Sequence, residues 1–189
     1  MRIISGTAKG KRLTTFAGED IRPTPDKVRG AIFSMLYSRI GPLEGMKVLD
    51  LFAGTGALAI EALSRGAARA WLVDAGRDAG RVIPLNLNAC NVENRGTLIR
   101  AEAGKALALL EKDKPFDLIF LDPPYGRELL PNLLRTLADR RFLAPNGVLC
   151  AETGKNETLA EAFEDLVRVD ERAYGITRIH LYRYPEPEE

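Results

Sequence analysis

Histidine is nearly missing from this chain. His180 stands alone among 189 residues, which argues against a metal centre built on imidazole ligands and against a nucleophilic triad turning on a histidine base. Cysteine is almost as scarce. Cys90 and Cys150 are the only two and have no C-x-x-C spacing, so neither a disulfide framework nor a zinc site is expected. No apolar run approaches the roughly 20 residues that span a bilayer, and the opening Met1-Arg2-Ile3-Ile4-Ser5-Gly6 has no signal-peptide core. A cytoplasmic protein is the expectation. Net charge nearly vanishes as well, at +1, but its distribution is uneven. Residues 1 to 30 carry seven Lys/Arg against three acids, and the other 159 carry 20 against 23. A polyanion would therefore meet the amino-terminal segment first.

What is present reads as one ordinary globular domain, with 46% hydrophobic and 28% charged residues. Arg2 to Leu13, R-I-I-S-G-T-A-K-G-K-R-L, combines a β-prone start, two glycines and a basic finish, as in a small hairpin. Thr24 is placed as N-cap of a helix with Pro25 at its first position and Asp26 in its first turn. Val28, Ile32, Leu36 and Ile40 repeat every four residues, so that face packs and the other exposes Lys27, Arg29 and Arg39. From Lys47 the pattern becomes strand, turn, helix, repeated. Strands are predicted at 46–52, 70–73, 97–99, 118–121 and 147–151, and helices at 57–64, 78–88, 104–112, 129–137 and 158–163. A closing pair of strands, 167–173 and 176–184, is joined by Tyr174-Gly175. Pro84 should kink its helix unless the register shifts. Such alternation implies an α/β fold with a mainly parallel, doubly wound sheet. The expected boundaries are a basic extension over 1–22, the main domain over 23–184 and a disordered Pro/Glu tail over 185–189.

Two stretches carry chemistry. Val48 to Gly56, V-L-D-L-F-A-G-T-G, puts a G-x-G turn between the first central strand and a helix, where glycine lets the backbone approach a ligand and tolerates positive φ. Asp74 follows about twenty residues on, at the end of the next strand, where a carboxylate can bind both hydroxyls of a ribose. This much fits a nicotinamide or flavin nucleotide as well as S-adenosylmethionine. Asp50 separates them: a carboxylate aimed into the pocket repels a pyrophosphate but balances an ammonium. Phe52, Ala53 and Thr55 complete the turn, and Glu102-Ala103, after the third strand, could face an adenine amine.

The second stretch, Leu118 to Gly126, L-I-F-L-D-P-P-Y-G, is a buried strand that stops at a carboxylate, two prolines and an aromatic ring. A strand's carboxyl end is where open α/β sheets bind ligands. D-P-P-Y suits methylation of an exocyclic amine, whose lone pair is delocalised into its ring. The Asp122 carboxylate and Pro123 carbonyl can hold the two N–H groups and turn that lone pair toward a methyl donor, with Pro124 fixing the carbonyl's direction. Tyr125 can stack on the base.

V-L-D-L-F-A-G-T-G together with D-P-P-Y is similar to the class I S-adenosylmethionine-dependent amino-methyltransferases. The opening M-R-I-I-S-G-T-A-K-G-K-R-L and I-R-P-T-P-D-K-V-R-G-A-I-F-S-M-L resemble the bacterial RsmD family, which methylates N2 of a guanine in small-subunit (16S) ribosomal RNA. The resemblance implies a Rossmann-like methyltransferase domain with an amino-terminal hairpin and a carboxyl-terminal antiparallel strand. It implies that Asp50, Gly54 and Gly56 hold the methionine part of S-adenosylmethionine, Asp74 the ribose, Glu102 and Ala103 the adenine, and Asp122 to Tyr125 the guanine. Arg2, Lys9, Lys11, Arg12, Arg22 and Arg29 are the candidate RNA contacts, and a monomer acting on ribosomal particles is expected. Asp74 and Glu102 depart from the family, where Glu and Asp or Asn are commoner. Two rival readings remain: a DNA adenine-N6 methyltransferase, which uses the same D-P-P-Y chemistry, and a non-catalytic RNA-binding assembly factor that keeps the fold without the chemistry.

Overall fold

A computed structural model describes residues 1–16, 25–123 and 129–185. Its elements run α1 (Asp26–Ile40), β1 (Lys47–Asp50), α2 (Ala57–Ser64), β2 (Arg69–Val73), α3 (Arg77–Ala89), β3 (Gly96–Ile99), α4 (Ala103–Leu109), β4 (Phe116–Leu121), α5 (Leu129–Asp139), β5 (Leu143–Gly154), β6 (Ala162–Phe163), β7 (Leu166–Tyr174) and β8 (Thr177–Arg183). The strands form one sheet in the order β3-β2-β1-β4-β5-β8-β7-β6. The first five are parallel, and β8, β7 and β6 add on antiparallel.

The central strands lack hydrophobic alternation because both faces are covered. Val48, Leu118, Phe120, Val148 and Cys150 pack with α1, α2 and α3, while Leu49, Ile119, Leu121 and Leu149 pack with α4 and α5. Each fully buried aliphatic side chain contributes roughly 1.5–3 kcal/mol relative to exposure. The strand order reverses between β1 and β4, which opens the crevice of a doubly wound fold at their carboxyl ends.

The amino-terminal segment is a hairpin, as expected. Arg2 bridges Arg12 antiparallel, and the amides of Ile3 and Leu13 reach Lys11 and Met1 carbonyls at 2.9 and 3.1 Å. It is also docked on the domain, with Ile3, Ala8 and Leu13 in the core beside α1 and α2. Fully buried Glu61 of α2 accepts the amides of Ile4 and Ser5 at 2.7 and 2.9 Å and Arg65 Nε at 2.8 Å. Ser64 takes the Ala8 amide at 2.9 Å and donates to the Ser5 carbonyl at 2.6 Å. Gly6 lies over this helix end at φ +80°, where a Cβ would stand 1.8 Å from the Ser64 carbonyl oxygen. Only glycine fits there.

Three expectations change. Pro25, predicted at the first helical position, is the N-cap of α1, so the helix starts one residue later than predicted, and the Pro25 carbonyl receives the Arg29 amide at 3.0 Å; Thr24 lies outside the described residues, as do 186–189 of the predicted tail. Residues 158–163 are not helical. Their carbonyls are claimed by neighbouring strands instead: Leu159 by Arg168 Nη1 at 3.1 Å, Ala160 by the Tyr182 hydroxyl at 2.7 Å and Glu161 by the Arg168 amide at 2.7 Å. Ala162–Phe163 pairs with β7 as a short edge strand. Helix α3 runs as one element through Pro84, which sits on its exposed face. The last hairpin turns at Gly175-Ile176, with Gly175 at φ +62°.

Candidate active site

Strand register gathers the acids. Asp50 ends β1 level with Phe120 of β4, and Phe120 is level with Cys150 of β5. Side chains alternate with a period of two, so Asp50 and Phe120 share the face covered by α1 and α2, and Asp122, two residues beyond Phe120, returns to it at the crevice.

Asp50 is 1% exposed, and neither carboxylate oxygen has a hydrogen-bond partner among the described residues. Burial, reinforced by the nearby Asp74 charge, pushes its carboxyl up from 3.8 to about 7, against the weaker pull of the Phe52 and Ala59 peptide groups. A buried carboxylate in this condition is an incomplete site. It calls for a cation or a strong donor.

The glycine turn surrounds it. Leu51 and Ala53 amides bond the carbonyls of Phe120 and Val73 at 3.1 and 3.0 Å, stitching the chain between β4 and β2 as it leaves β1. Gly54 and Gly56 both adopt positive φ, +54° and +82°. A Cβ on Gly56 would press Leu72 and Ile60 at 3.0 and 3.1 Å. Asp74 accepts the Gly54 amide at 2.8 Å and the Gly76 amide at 2.7 Å, one on each oxygen. Each oxygen keeps a lone pair for a hydroxyl donor.

The other predicted residues fall as follows. Phe52 is half-buried against the second core; Ala53 and Thr55 are buried. Glu102 is the N-cap of α4, its side chain 73% exposed and 3.7 Å from Lys105, with Ala103 half-buried beside it. Pro123 is buried and Asp122 half-buried. Pro124, Tyr125 and Arg22 lie outside the described residues.

Of the predicted RNA contacts, Arg2, Lys9, Lys11 and Arg12 are exposed on the hairpin. Arg29 is corrected: it is 0% exposed, donating to the Arg2 carbonyl and, at 3.0 Å, to Asp26. It anchors the hairpin to α1 and presents no surface to a polyanion. Although desolvation opposes it, this guanidinium holds the Asp26 carboxyl below its usual range. Arg2, Lys9 and Lys27 line an open cleft of about 370 Å³ between the hairpin and α1, with Asp26 on its wall. Lys27 is legible in the sequence only as an exposed helix residue.

Two contributors give no sequence signal. Asn86 of α3, 0% exposed, bonds both the glycine turn and the hairpin. Glu61 holds the hairpin down. The lone histidine, His180, is a core residue: it meets Thr153 Oγ1 at 2.9 Å and Glu171 at 3.2 Å, and burial pushes its pKa down. Cys90 and Cys150 are both free and buried, and burial pushes both thiols up.

Comparison with known proteins identifies the family. A protein-family model described as conserved hypothetical protein 95 matches residues 1–183. YlbH of Bacillus subtilis is 39% identical over 185 residues, covering 97% of this chain and 98% of its own. An Escherichia coli protein named ribosomal RNA small subunit methyltransferase D is 35% identical over 153 residues, 81% of this chain and 74% of that one. Among solved structures, Escherichia coli yhhF superposes with a TM-score of 0.84 at 30% identity, covering 97% of each chain. With a match running from the hairpin to the last strand, the chain belongs to the RsmD family of methyltransferases.

Proposed function

We propose that this protein transfers a methyl group from S-adenosylmethionine to the exocyclic N2 amine of a guanine in small-subunit ribosomal RNA. It does so as a cytoplasmic monomer, on the ribosomal subunit or an assembly intermediate. The observation that carries the reading is the buried, unpartnered Asp50 carboxylate beside a two-glycine turn, with Asp122 on the same sheet face at the adjoining strand end. The family membership sets the acceptor class.

The residues fit the cofactor. Asp50 supplies the missing half of an ion pair for its ammonium, the turn 52–56 lets the methionine part lie against backbone, and Asp74 retains acceptor capacity for the ribose hydroxyls. Glu102 and Ala103, at the start of α4, would face the adenine. When bound, S-adenosylmethionine supplies an electrophilic methyl group on a sulfonium centre.

Asp122 and the Pro123 carbonyl accept the two N–H groups of the target amine and turn its lone pair out of conjugation. Charge-assisted hydrogen bonds of this kind are worth about 1.5–3 kcal/mol each, and in-line positioning of two held reactants contributes more. Asp122 also stabilises the positive charge that develops on the nitrogen. The proton leaves to solvent after transfer, so no histidine base is required. Tyr125 stacks on the base, and Arg2, Lys9, Lys11, Arg12, Arg22 and Lys27 meet phosphates.

The test is methyl transfer from labelled S-adenosylmethionine to naked ribosomal RNA and to small subunits from cells lacking the enzyme, followed by mass spectrometry of the nucleosides. N2-methylguanosine at one position is the expected product. Cofactor binding without label in RNA would overturn the reading and move the acceptor to DNA or protein.

A further inference from the structure

We infer that Asn86 is a positioning residue that couples the basic hairpin to the glycine turn, so that RNA contact on the one and cofactor binding on the other strengthen each other. The inference rests on reading the hairpin as the RNA contact and the turn as the cofactor loop.

Asn86 is fully buried on α3 and spends its amide on two backbone segments far away in sequence. Its Nδ2 donates to the Thr55 carbonyl at 2.8 Å and to the Thr14 carbonyl at 3.0 Å, and its Oδ1 accepts the Thr14 amide at 2.7 Å. Both donors and one acceptor site are therefore used, which leaves the amide a single orientation. The peptide joining Thr55 to Gly56 is fixed at both ends. Asn86 holds its carbonyl, and its N–H bonds the Ala53 carbonyl at 2.6 Å. Rotating that peptide would break both bonds and carry Gly56 away from the φ of +82° from which α2 starts.

On the hairpin side, Thr14 follows Leu13, a core residue, and lies two and three residues from exposed Arg12 and Lys11. The hairpin's other strand touches the turn too, through Met1 Sδ at 3.6 Å from Thr55 Oγ1. Phe16 stands closest to the space beside Gly54, 4.0 Å from where a Cβ would lie. A load placed on Lys11 and Arg12 thus reaches the Thr55 carbonyl through one rigid, desolvated amide, where a lost partner is costly. Binding linkage is reciprocal: if RNA sets the turn for cofactor, cofactor sets the hairpin for RNA by the same factor.

The experiment is equilibrium dialysis of labelled S-adenosylhomocysteine against the full chain, with and without a saturating excess of small ribosomal subunits from cells lacking the enzyme. Wild type should bind at least about fivefold tighter with subunits, at the lower edge of known couplings. Asn86→Asp keeps the acceptor for Thr14 and turns both donors into a carboxylate facing two carbonyls. Thr14→Pro removes the N–H from the hairpin side and leaves the turn's own residues untouched. In each variant the ratio should fall to within twofold of one, while subunit affinity without cofactor stays within twofold of wild type. Steady-state kinetics should show a raised KM for cofactor with kcat largely kept. A ratio of one in wild type, or an unchanged ratio in the folded variants, overturns the coupling. Wild type that keeps the ratio but transfers no methyl to RNA overturns the proposed reaction and leaves the coupling standing.

Discussion

Replacing Asp50 with asparagine should stabilise the free protein and cripple cofactor binding at the same pH. The wild-type carboxyl is 1% exposed, unpartnered among the described residues, and moved from 3.8 to about 7 by burial and by Asp74. Its folded-state pKa thus lies above its unfolded one. The native state holds the extra proton between about pH 4 and pH 7, and the stability tied to this group falls as pH rises through that window. At about 1.4 kcal/mol per tenfold change, ionisation above pH 7 costs on the order of 4 kcal/mol. The asparagine side chain would carry no charge at any pH, although its two N–H donors would themselves lack a described acceptor, a cost of roughly 1–3 kcal/mol. Urea unfolding of both proteins across pH 4.5 to 8 isolates the group. The difference, variant minus wild type, should climb by several kcal/mol over that range. Cofactor binding runs the other way, because an ammonium requires the ionised form. Wild-type affinity should rise up to tenfold per pH unit below about 7 and level off above it, with proton uptake by buffer visible in calorimetry. The asparagine variant should bind roughly 10- to 150-fold more weakly at pH 8 and lose this dependence. A stability difference that stays flat from pH 4.5 to 8 would refute the reasoning.

Three further outcomes are expected. Asp122→Ala should lower kcat by roughly 100-fold or more through the lost charge-assisted bond and orientation, with S-adenosylmethionine affinity by calorimetry almost unchanged; equal losses in both would remove Asp122 from the amine. Replacing Lys9, Lys11 and Arg12 together by alanine should weaken RNA binding and reduce the slope of log K against log salt by roughly 2 to 3, at about 0.7–0.9 per phosphate contact. An unchanged slope means the hairpin is not the RNA contact. Gly6→Ala puts a Cβ 1.8 Å from the Ser64 carbonyl oxygen at φ +80°, which should lift the hairpin off α2. Left-handed strain and the lost Thr7 and Ala8 bonds amount to about 2–4 kcal/mol, read as a Tm lower by roughly 5–15 °C; a Tm within about a degree of wild type would show that the hairpin rides loosely on the helix.

The division between what the chain announces and what it conceals follows sequence distance. Parallel strands buried on both faces give unbroken apolar runs, so 118–121 and 70–73 are readable, and the residues that end them, Asp74 and Asp122, are placed with them. Positive φ at Gly54 and Gly56 is readable because the turn is local. Leu159 and Phe163, four residues apart, imitate a helix face; the partners that decide otherwise, Arg168 and Tyr182, come later in the chain and take the carbonyls a helix would need.

Arg29 shows the same limit at a predicted RNA contact. The apolar repeat of α1 places it on the helix surface, and so it is, but that surface lies under the hairpin, where the carbonyl of Arg2 and the carboxylate of Asp26 take its charge. Charge counting assigns such a residue to the polyanion because composition carries no record of burial. Asn86 is hidden for the converse reason. An amide flanked by leucines has no charge to count, and its partners lie 31 and 72 residues away. Of the basic residues that remain exposed on the hairpin, Arg2, Lys9, Lys11 and Arg12, the first two line the cleft between hairpin and α1 together with Lys27 of α1. An anion held there would press on a hairpin already bonded to α2 by Glu61 and to the glycine turn by Asn86. The hairpin proposed to contact RNA and the glycine turn proposed to hold the cofactor are thereby bonded through one buried amide, although Thr14 and Gly54 stand 40 positions apart in the sequence.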